Sequence, residues 1–408
     1  MLAPLANVTF FDTMNGMPHF FKSIKIQNLL SFGPDSRELE LKPINIVIGP
    51  NGSGKSNLLT ALSLFRPQEE RHSIIENGGG FRNWFWKSND TVGATVKVIF
   101  ESAIKWASRS FEVALVKGKD QQDDPSRFFV GLTIPEDVKK DFNRFAKDVN
   151  QLEKGENIEK LFFSVDYHVA GDHISLQNLP QLETHAEGIL ESINEFRTSF
   201  FLFRDWQYGP SAPLRSGPQP AGFSNNRIRD DARNLAHVLK RITENKQSCS
   251  VFKDFLSELY EDINDIQFTE AEDFLFFFVI ENGGRKVPAA RISDGTLRYL
   301  ALLAVLCDPE PPHLICLEEP EMGLHPDLIQ VIAKAIRYAS ERAQIIATTH
   351  SVLLVDKFTD SPDSIVVCEK IDGSTELRRL DPEEMKPWLE KYRLGNLWTS
   401  GQIGGNRW

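Results

Sequence analysis

A glycine-rich segment that ends in lysine and serine has the composition of a phosphate-binding loop. Residues 49–56 read Gly-Pro-Asn-Gly-Ser-Gly-Lys-Ser, and this spacing lets backbone N–H groups converge on phosphate oxygens. Lys55 would reach the terminal phosphates and the Ser56 hydroxyl would ligate Mg²⁺. An apolar strand at 44–48 precedes the loop and an apolar helix at 57–65 follows it, which is the context that the motif requires. The residues predicted to contact the nucleotide here are Gly49, Pro50, Asn51, Gly52, Ser53, Gly54, Lys55, Ser56 and Asn57.

Two adjacent carboxylates end a second apolar run. Residues 314–319 read Leu-Ile-Cys-Leu-Glu-Glu, and the end of such a strand is the ligand side of an α/β sheet. Hydrolysis of a phosphate bond needs one group to hold Mg²⁺ through its water shell and one to accept the proton of the attacking water. The order along the strand assigns Glu318 to the metal and Glu319 to the water. The alternative interpretation is a solvated strand end.

A histidine ends a third apolar run. Residues 345–350 read Ile-Ile-Ala-Thr-Thr-His, and His350 could bind the γ-phosphate or orient the attacking water. A single histidine is more often structural. Its position after a second buried strand, one helix beyond the carboxylates, favours the catalytic interpretation.

A helix start between these motifs is a further candidate anion site. Residues 291–298 read Arg-Ile-Ser-Asp-Gly-Thr-Leu-Arg; Ser293 is a natural N-cap, and Gly295 permits close approach. Helix N-termini bind anions, although simple capping is the alternative. The functional interpretation requires this helix to meet a phosphate that its own phosphate loop does not hold.

The composition is that of an ordinary soluble globular protein. The chain has 408 residues, which indicates two structural units or one domain with a large insertion. Its net charge of −11 is opposite to that of proteins that coat nucleic acid, so a nucleic-acid partner stays open but is not indicated.

The four cysteines lack C-x-x-C spacing and favour a reducing cytoplasm. No apolar stretch reaches the ~20 residues that span a bilayer, so no membrane partner is expected.

Hydrophobic periodicity predicts the elements that carry these motifs. Strands are expected at 21–32, 44–48, 92–102, 110–118, 274–282, 314–317, 345–347 and 365–368. Helices are expected at 297–306 and from about Pro326, with a charged helical pattern at 137–154 and a Gly- and Pro-rich loop from 209 to 222. Two amphipathic helices follow that loop. The first has an apolar face of Leu235, Leu239 and Ile242, and the second one of Phe252, Phe255, Leu256, Leu259 and Ile263.

The order of these motifs resembles that of ATP-binding-cassette ATPases of the SMC and OLD-like branch. The phosphate loop stands as Walker A, and after a long insertion come a signature at 291–298, Walker B at 314–319 and the switch histidine. The resemblance covers roughly 21–115 and 270–370. The run Glu-Glu-Pro-Glu-Met-Gly-Leu-His-Pro at 318–326 looks most like phage-defence ATPases of the OLD type. The tail at 394–408 looks like that of small bacterial ATPases found beside a TOPRIM-like partner gene.

The resemblance implies ATP and Mg²⁺ as cofactors and a dimer in which two heads enclose two ATP molecules. Ser293 and Gly295 would then contact the ATP of the opposite protomer. Asp294 and Thr296 depart from the family pattern, in which Gly and Gln are commoner, and Asp294 near a γ-phosphate would slow closure. Gln68 is the candidate Q-loop residue.

The predicted fold class is α/β: an ABC-type P-loop ATPase head, with a mixed sheet core plus an antiparallel sheet and a mostly helical insertion. The predicted organisation is an N-terminal extension at 1–20, an ATPase lobe with Walker A at 21–130 and the helical insertion at 131–268. An ATPase lobe with signature, Walker B and switch histidine at 269–380 and a C-terminal tail at 381–408 complete it.

Two functions from different classes compete. The first is an ATP-gated dimer that hydrolyses ATP and controls a separate effector, such as a TOPRIM-like nuclease, in anti-phage defence. The second is a DNA-repair head of the recombination-mediator or SMC type that binds DNA directly. A transporter ATPase is disfavoured by the insertion and the Glu-Glu pair. Too few residues follow His350 for an OLD-type nuclease domain, so no nuclease centre is expected in this chain.

Overall fold

The fold is that of a computed structural model. It describes residues 21–65, 81–86, 93–100, 110–116, 128–133, 161–164, 200–204, 208, 209, 212, 215, 219, 220, 227–229, 231–260, 262–272 and 274–405. Four sequence expectations lie outside these residues: the N-terminal extension, the Q-loop candidate Gln68, the helical pattern at 137–154 and most of the loop from 209 to 222.

The described residues form sixteen strands and eight α-helices. The strands are β1 (Phe21–Gln27), β2 (Leu39–Glu40), β3 (Ile44–Ile48), β4 (Gly93–Phe100), β5 (Ser110–Val116), β6 (Phe128–Thr133), β7 (Leu161–Ser164), β8 (Phe200–Phe203), β9 (Gln219–Pro220), β10 (Ile263–Ala271), β11 (Phe274–Glu281), β12 (Arg285–Pro288), β13 (Leu314–Glu318), β14 (Gln344–Thr348), β15 (Ile365–Ile371) and β16 (Ser374–Arg379). The α-helices are α1 (Lys55–Ser63), α2 (Leu235–Glu244), α3 (Lys246–Ser257), α4 (Asp294–Leu306), α5 (Leu328–Ser340), α6 (Val352–Asp356), α7 (Pro382–Leu389) and α8 (Leu394–Thr399). Single 3₁₀ turns occur at Phe81–Trp84, Asn282–Gly284, Ala289–Arg291 and Pro362–Ser364.

The chain forms two compact units. The first unit comprises residues 1–42, 51–200 and 368–378, and the second unit comprises 43–50, 201–367 and 379–408. The five segments predicted from the sequence follow the chain order, and they stay a prediction. No helix within the described ranges has both the length and the apolar character needed to cross a membrane.

The first unit contains an antiparallel sheet of six strands in the order β2-β1-β4-β5-β6-β7. Ile24 and Ile26 of β1 stand opposite Val98 and Val96 of β4, and all four side chains are buried. This pairing confirms the antiparallel sheet predicted from the alternating residues of these strands. The residues Phe-Arg-Asn-Trp-Phe-Trp at 81–86, an aromatic run that could stack bases or pack as a loop, lie in this unit too. The rings of Trp84 and Phe85 are buried there, which favours a packed loop over a surface that stacks bases.

Six strands pair in the order β16-β15-β3-β14-β13-β8, of which β3, β14 and β13 lie wholly in the second unit. Strands β15, β3, β14 and β13 are parallel to one another. Every residue of β3 and β14 is buried, which explains why these strands are continuous apolar runs without alternation. Buried Asn45 in β3 donates from Nδ2 to Ile345 O of β14 at 3.0 Å.

A second, antiparallel sheet in this unit is built on β11, which pairs with β10, β12 and β9. Helix α4 is buried from Tyr299 to Leu306. A helix that is apolar on all sides is stable only when it is buried in this way. Helix α5 instead buries one face, and the predicted residues Leu328, Ile329, Ile332, Ala335 and Ile336 all lie on it. It begins at Leu328, just after a turn in which Ile329 N donates to Pro326 O at 3.1 Å.

The second of the two predicted amphipathic helices is shorter than its periodicity indicated. Helix α3 ends at Ser257, so Leu259 and Ile263 do not lie on it. Ile263 begins β10 and stands opposite Glu281 of β11. The prediction was wrong at these two positions, and at Ile263 the hairpin pairing of β10 with β11 outweighs the local helical spacing.

Replacing Tyr299 by phenylalanine should destabilise the second unit. The Tyr299 hydroxyl donates to Phe255 O at 2.7 Å, and the side chain is 0% exposed. Its loss removes one of two donors to the Phe255 carbonyl, which also accepts from Glu258 N at 3.2 Å, so we expect the free energy of unfolding in urea to fall by about 1 kcal/mol. Tyr392→Phe is the matched control, because that ring is 51% exposed. Equal stability of the two variants would contradict the role given to this hydrogen bond.

Candidate functional site

The predicted functional residues of the second unit follow strands that end at one edge of its sheet. Strand β14 pairs in parallel with both β3 and β13, with Thr348 opposite Val47 and opposite Glu318. Parallel strands in this register place their carboxyl ends side by side. The phosphate loop therefore starts, at Gly49, on the edge that also carries the two glutamates and His350.

The phosphate loop leads into α1 through a glycine that the first unit requires. Gly54 has φ +115 and precedes Lys55, the first residue of α1. A Cβ on Gly54 would lie 2.2 Å from Thr375 Oγ1 and 2.7 Å from Ser31 Oγ. The Thr375 hydroxyl donates to Ser53 O at 2.7 Å. Only glycine fits here, because the loop backbone lies against these two hydroxyls.

The start of α1 has the electrostatic character of an anion site. The helix has no side-chain cap and no acidic residue in its first turn, so its positive end is not neutralised locally. Lys55 is buried, whereas Ser56 is exposed. The Asn57 amide donates to Ser31 Oγ at 2.8 Å, which assigns the Asn57 side chain to shaping the loop.

Cys368 lies beneath this loop in the first unit. Burial raises the pKa of its thiol to about 11, while a hydrogen bond with Ser53 and the charge of Lys55 act in the opposite direction. The thiol is therefore neutral at physiological pH and serves as a packing group.

The two glutamates at the end of β13 have different surroundings in the second unit. Arg204 Nε lies 2.7 Å from Glu318 Oε2, and the Glu318 side chain is 16% exposed. Glu319 has φ +46, a left-handed conformation that costs a non-glycine residue free energy and is concentrated at functional sites. Its backbone N–H donates to Thr348 O at 3.0 Å. The backbone therefore turns away from the strand at Glu319, whereas Glu318 is still part of β13.

His350 contacts the predicted proton acceptor. Its Nε2 lies 3.4 Å from Glu319 Oε1, and the two side chains are 37% and 31% exposed. The structure thus brings together two residues that the sequence proposed separately for work on the attacking water.

Glu321, which the sequence analysis did not single out, ties the two loops to each other. Its carboxylate accepts hydrogen bonds from the Thr349 hydroxyl and from His350 N, the latter at 3.3 Å. Burial raises the pKa of Glu321 above its ordinary value, and the Thr349 hydrogen bond opposes that rise. The signal that could have found it is its place as the third carboxylate of a run that begins at Glu318.

The signature segment starts α4 as predicted. Ser293 is the N-cap, and its Oγ accepts a hydrogen bond from Thr296 N at 3.1 Å. A Cβ on Gly295 would lie 3.2 Å from Gly323 O, so glycine lets this helix start approach the loop that follows β13. Ser293 therefore caps α4. The helix N-terminus still lies at the surface, since Ser293 and Asp294 are exposed.

Arginines hold the signature in place and link it to Glu319. Arg215 donates from Nε to Tyr208 O at 2.7 Å and from its guanidinium to Ile292 O, and it forms an ion pair with Asp294. Arg298, in the second turn of α4, donates to Glu319 O at 3.3 Å. The unfavourable charge that the sequence assigns to Asp294 is thus offset by Arg215. Neither arginine partner could be found from sequence spacing.

Comparisons with known proteins agree with this geometry. A family model described as "AAA domain, putative AbiEii toxin, Type IV TA system" matches residues 44–95 and 104–356, more than half of the chain. Among solved structures, the SmcHead bound to the C-winged helix domain of ScpA is similar with a TM-score of 0.57 at 12% identity, over 90% of this chain and 99% of that one. No curated protein matches the chain at a significant level.

Two further solved structures are similar over the same extent. The Smc head domain with an extended coiled coil bound to the C-terminal domain of ScpA from Pyrococcus furiosus has a TM-score of 0.51 at 13% identity, over 91% of this chain and 99% of that one. The Smc head domain with a coiled coil and joint from Pyrococcus yayanosii has a TM-score of 0.51 at 11% identity, over 91% and 99%. At such identities the likeness concerns the fold alone, and it confirms the predicted α/β ATPase-head class.

Arg215→Ala should destabilise the second unit more than the loss of a surface ion pair. The Arg215 side chain is only 9% exposed and donates to three backbone carbonyls, those of Tyr208, Ala290 and Ile292, so we expect the free energy of unfolding in urea to fall by about 2 kcal/mol. The control is Lys240→Ala, whose side chain is 34% exposed and pairs with Glu270; its loss should cost less than about 1 kcal/mol. Equal losses would show that the Arg215 contacts do not hold the signature.

Proposed function

This chain belongs to the AAA domain family described as putative AbiEii toxin, Type IV TA system, and we propose that it is an ABC-type ATPase that binds Mg-ATP and hydrolyses it. One observation carries the proposal. The parallel register of β3, β14 and β13 brings the start of the phosphate loop, two glutamates and a histidine to one sheet edge. Each of these groups is one that phosphate transfer to water requires.

The phosphate loop supplies the binding step. The N–H groups at the uncapped start of α1 and the Lys55 ammonium act on the phosphate oxygens. Gly52, with φ +80 and open space around a Cβ, lets the backbone turn toward the ligand. The contact set is the one predicted from sequence, Gly49 to Asn57.

Mg²⁺ suits the oxygen donors that the chain offers. At nucleotide sites this ion uses one or two protein oxygens plus phosphate oxygens and water. We assign Ser56 as the protein ligand and Glu318 as the holder of the water shell. The ion pair with Arg204 engages Glu318 Oε2, so Oε1 serves this role. The bound ion would neutralise charge on the phosphates.

Glu319 and His350 supply the hydrolytic step. The Glu319 carboxylate accepts the proton of the attacking water. His350 Nε2 lies 3.4 Å from that carboxylate, and its single N–H can restrain the carboxylate or, in turn, donate to a phosphate oxygen. The hydrogen bond from His350 N to Glu321 fixes the loop that presents the imidazole.

We further propose that two copies close around ATP. At the N-terminus of α4, Ser293 is exposed and Gly295 is half-buried, and Asp294 is paired with Arg215, which favours a role toward the phosphate of a second chain. In this role ATP binding drives dimer formation and hydrolysis releases it.

For the biological role we propose control of a separate effector in anti-phage defence, in the cytoplasm, with a TOPRIM-like nuclease as the candidate partner. The family description, which names a toxin, is consistent with a defence role, as is the run at 318–326. The likeness to Smc heads supports the second candidate, a DNA-repair head that binds DNA directly. The net charge of −11 disfavours it. Measuring DNA binding by the ATP-bound dimer at physiological salt separates the two.

Substitutions at three positions should separate ATP binding from hydrolysis. Lys55→Ala should abolish ATP binding in calorimetry, because it removes the charge that faces the phosphates. Glu319→Gln should keep ATP binding while the hydrolysis rate falls by on the order of 10²-fold, as expected for a lost general base. Glu318→Gln should instead weaken the dependence of the rate on Mg²⁺.

Glu310→Gln, at a side chain that is 83% exposed, is the control and should match the unmodified protein. Unchanged ATP affinity in Lys55→Ala would refute the phosphate-loop assignment. If Glu318→Gln accumulated bound ATP and Glu319→Gln did not, the roles of the two acids would be reversed.

Ser293→Arg should prevent dimer formation without affecting the nucleotide affinity of a single chain. Light scattering with ATP would compare Glu319→Gln with the double variant Ser293→Arg, Glu319→Gln. We expect a dimer for the first and a monomer for the second, since the arginine occupies the exposed helix start. Ser250→Arg in the same background, at an exposed position of α3, controls for added charge. Equal dimer content in all three would remove the role of Ser293 toward a second chain.

A further inference from the structure

A C-terminal segment packs beneath the functional edge of the second unit. Residues 394–405 comprise α8 and the loop that follows it. The apolar side chains of this segment are almost completely buried, namely Leu394, Leu397, Trp398 and Ile403. The segment is therefore part of the core of this unit and not a loose tail.

One end of the segment lies against the first glycine of the phosphate loop. Trp398 Nε1 donates to Gly405 O at 2.8 Å, and Gly405 has φ +70. A Cβ at Gly405 would lie 3.1 Å from Val367 Cγ1, 3.3 Å from Trp398 Nε1 and 3.5 Å from Gly49 Cα. The backbone at 405 thus lies within van der Waals contact of Gly49, Val367 and Trp398 crowd its Cβ position, and the indole N–H holds its carbonyl.

The other end of the segment lies against the helix that follows His350. Gly395 N donates to Asp356 Oδ1 at 2.7 Å. A Cβ at Gly395 would lie 2.6 Å from Val352 Cγ1 and 2.8 Å from Val352 O, so α8 and α6 meet at backbone distance. Helix α6 begins directly after Ser351, its N-cap. Its position therefore sets that of the His350 loop.

We propose that residues 394–405 form a C-terminal brace that positions both Gly49 and the His350 loop, so that ATP affinity depends on a segment that does not touch the nucleotide. Trp398 and Gly405 are positioning residues in this scheme, and Gly395 couples the brace to α6. The expected effect of the brace on ATP affinity rests on the proposed ATPase activity. The mechanical consequence, a phosphate-loop start held by the brace, does not.

The test compares two glycines with the same backbone conformation. Gly405→Ala strains the left-handed backbone and crowds the Val367 and Trp398 contacts. Gly283→Ala causes the same kind of strain, since Gly283 has φ +75, but a Cβ there would meet nothing within 4 Å. We expect Gly405→Ala to raise the ATP dissociation constant in calorimetry roughly tenfold relative to Gly283→Ala, as for the loss of one well-placed interaction. The melting temperature should fall further in Gly405→Ala than in Gly283→Ala, because crowding of Val367 and Trp398 adds to the backbone strain.

Trp398→Phe keeps the ring and removes the N–H donor, so it should weaken ATP binding in the same direction even if Gly405→Ala fails to fold. Trp388→Phe, at a ring that is 42% exposed, is its control. Amide hydrogen exchange without nucleotide gives a readout that needs no ATPase. The peptide that contains Gly49 should exchange faster in Trp398→Phe than in Trp388→Phe.

Each outcome decides the proposal. Equal exchange of that peptide in Trp398→Phe and Trp388→Phe would overturn the brace. So would ATP affinities of Gly405→Ala and Trp398→Phe that equal those of their controls in a protein that binds ATP. If the unmodified protein failed to bind ATP, the proposed function would be refuted, whereas faster exchange in Trp398→Phe would still support the brace.

Discussion

The parallel pairing of β3, β14 and β13 is the constraint on which the candidate site depends. Three segments separated by tens to hundreds of residues carry the phosphate loop, the glutamates and the histidine, and only a common register brings their ends to one edge. Buried Asn45 helps to fix that register through Ile345 O, and the Arg379 guanidinium in turn donates to the Asn45 side chain. A buried polar group with satisfied partners favours one register, because any slip would leave its hydrogen bonds unmade.

The unusual backbone at Glu319 gives the site its coupling to the signature helix. A left-handed residue at the end of a strand persists only where the surroundings hold it. Here Thr348 O accepts its N–H and Arg298 of α4 donates to its carbonyl. A displacement of α4 on contact with a second chain would therefore reach the proposed general base through one hydrogen bond. Gly295 against Gly323 O provides a second contact between the same two segments.

Two arginines of this acidic chain pair with carboxylates of the candidate site. Arg204 pairs with Glu318 and Arg215 with Asp294, so the carboxylates at the sheet edge and at the signature are not left to repel incoming phosphate. The chain can therefore bind the proposed polyanionic ligand despite its net charge of −11, because these carboxylates are paired with arginines. They also explain why Asp294 at the signature is compatible with the proposed closure around ATP.

The sequence by itself determined the motifs, the strands that carry them and the α/β ATPase-head class. It could do so because phosphate loops, capped helices and buried parallel strands have short local patterns, as at 49–56, 291–298 and 314–319. It did not determine the ion pair of Arg204 with Glu318, the support of Ser53 by Thr375, or the brace from Trp398 to Gly49. Those contacts join residues that are far apart in the chain, and nothing in local periodicity encodes which side chain will occupy a given space. Only the packed tertiary structure decides them, because a polar group takes its partner from whatever the sheets and helices bring within hydrogen-bond distance.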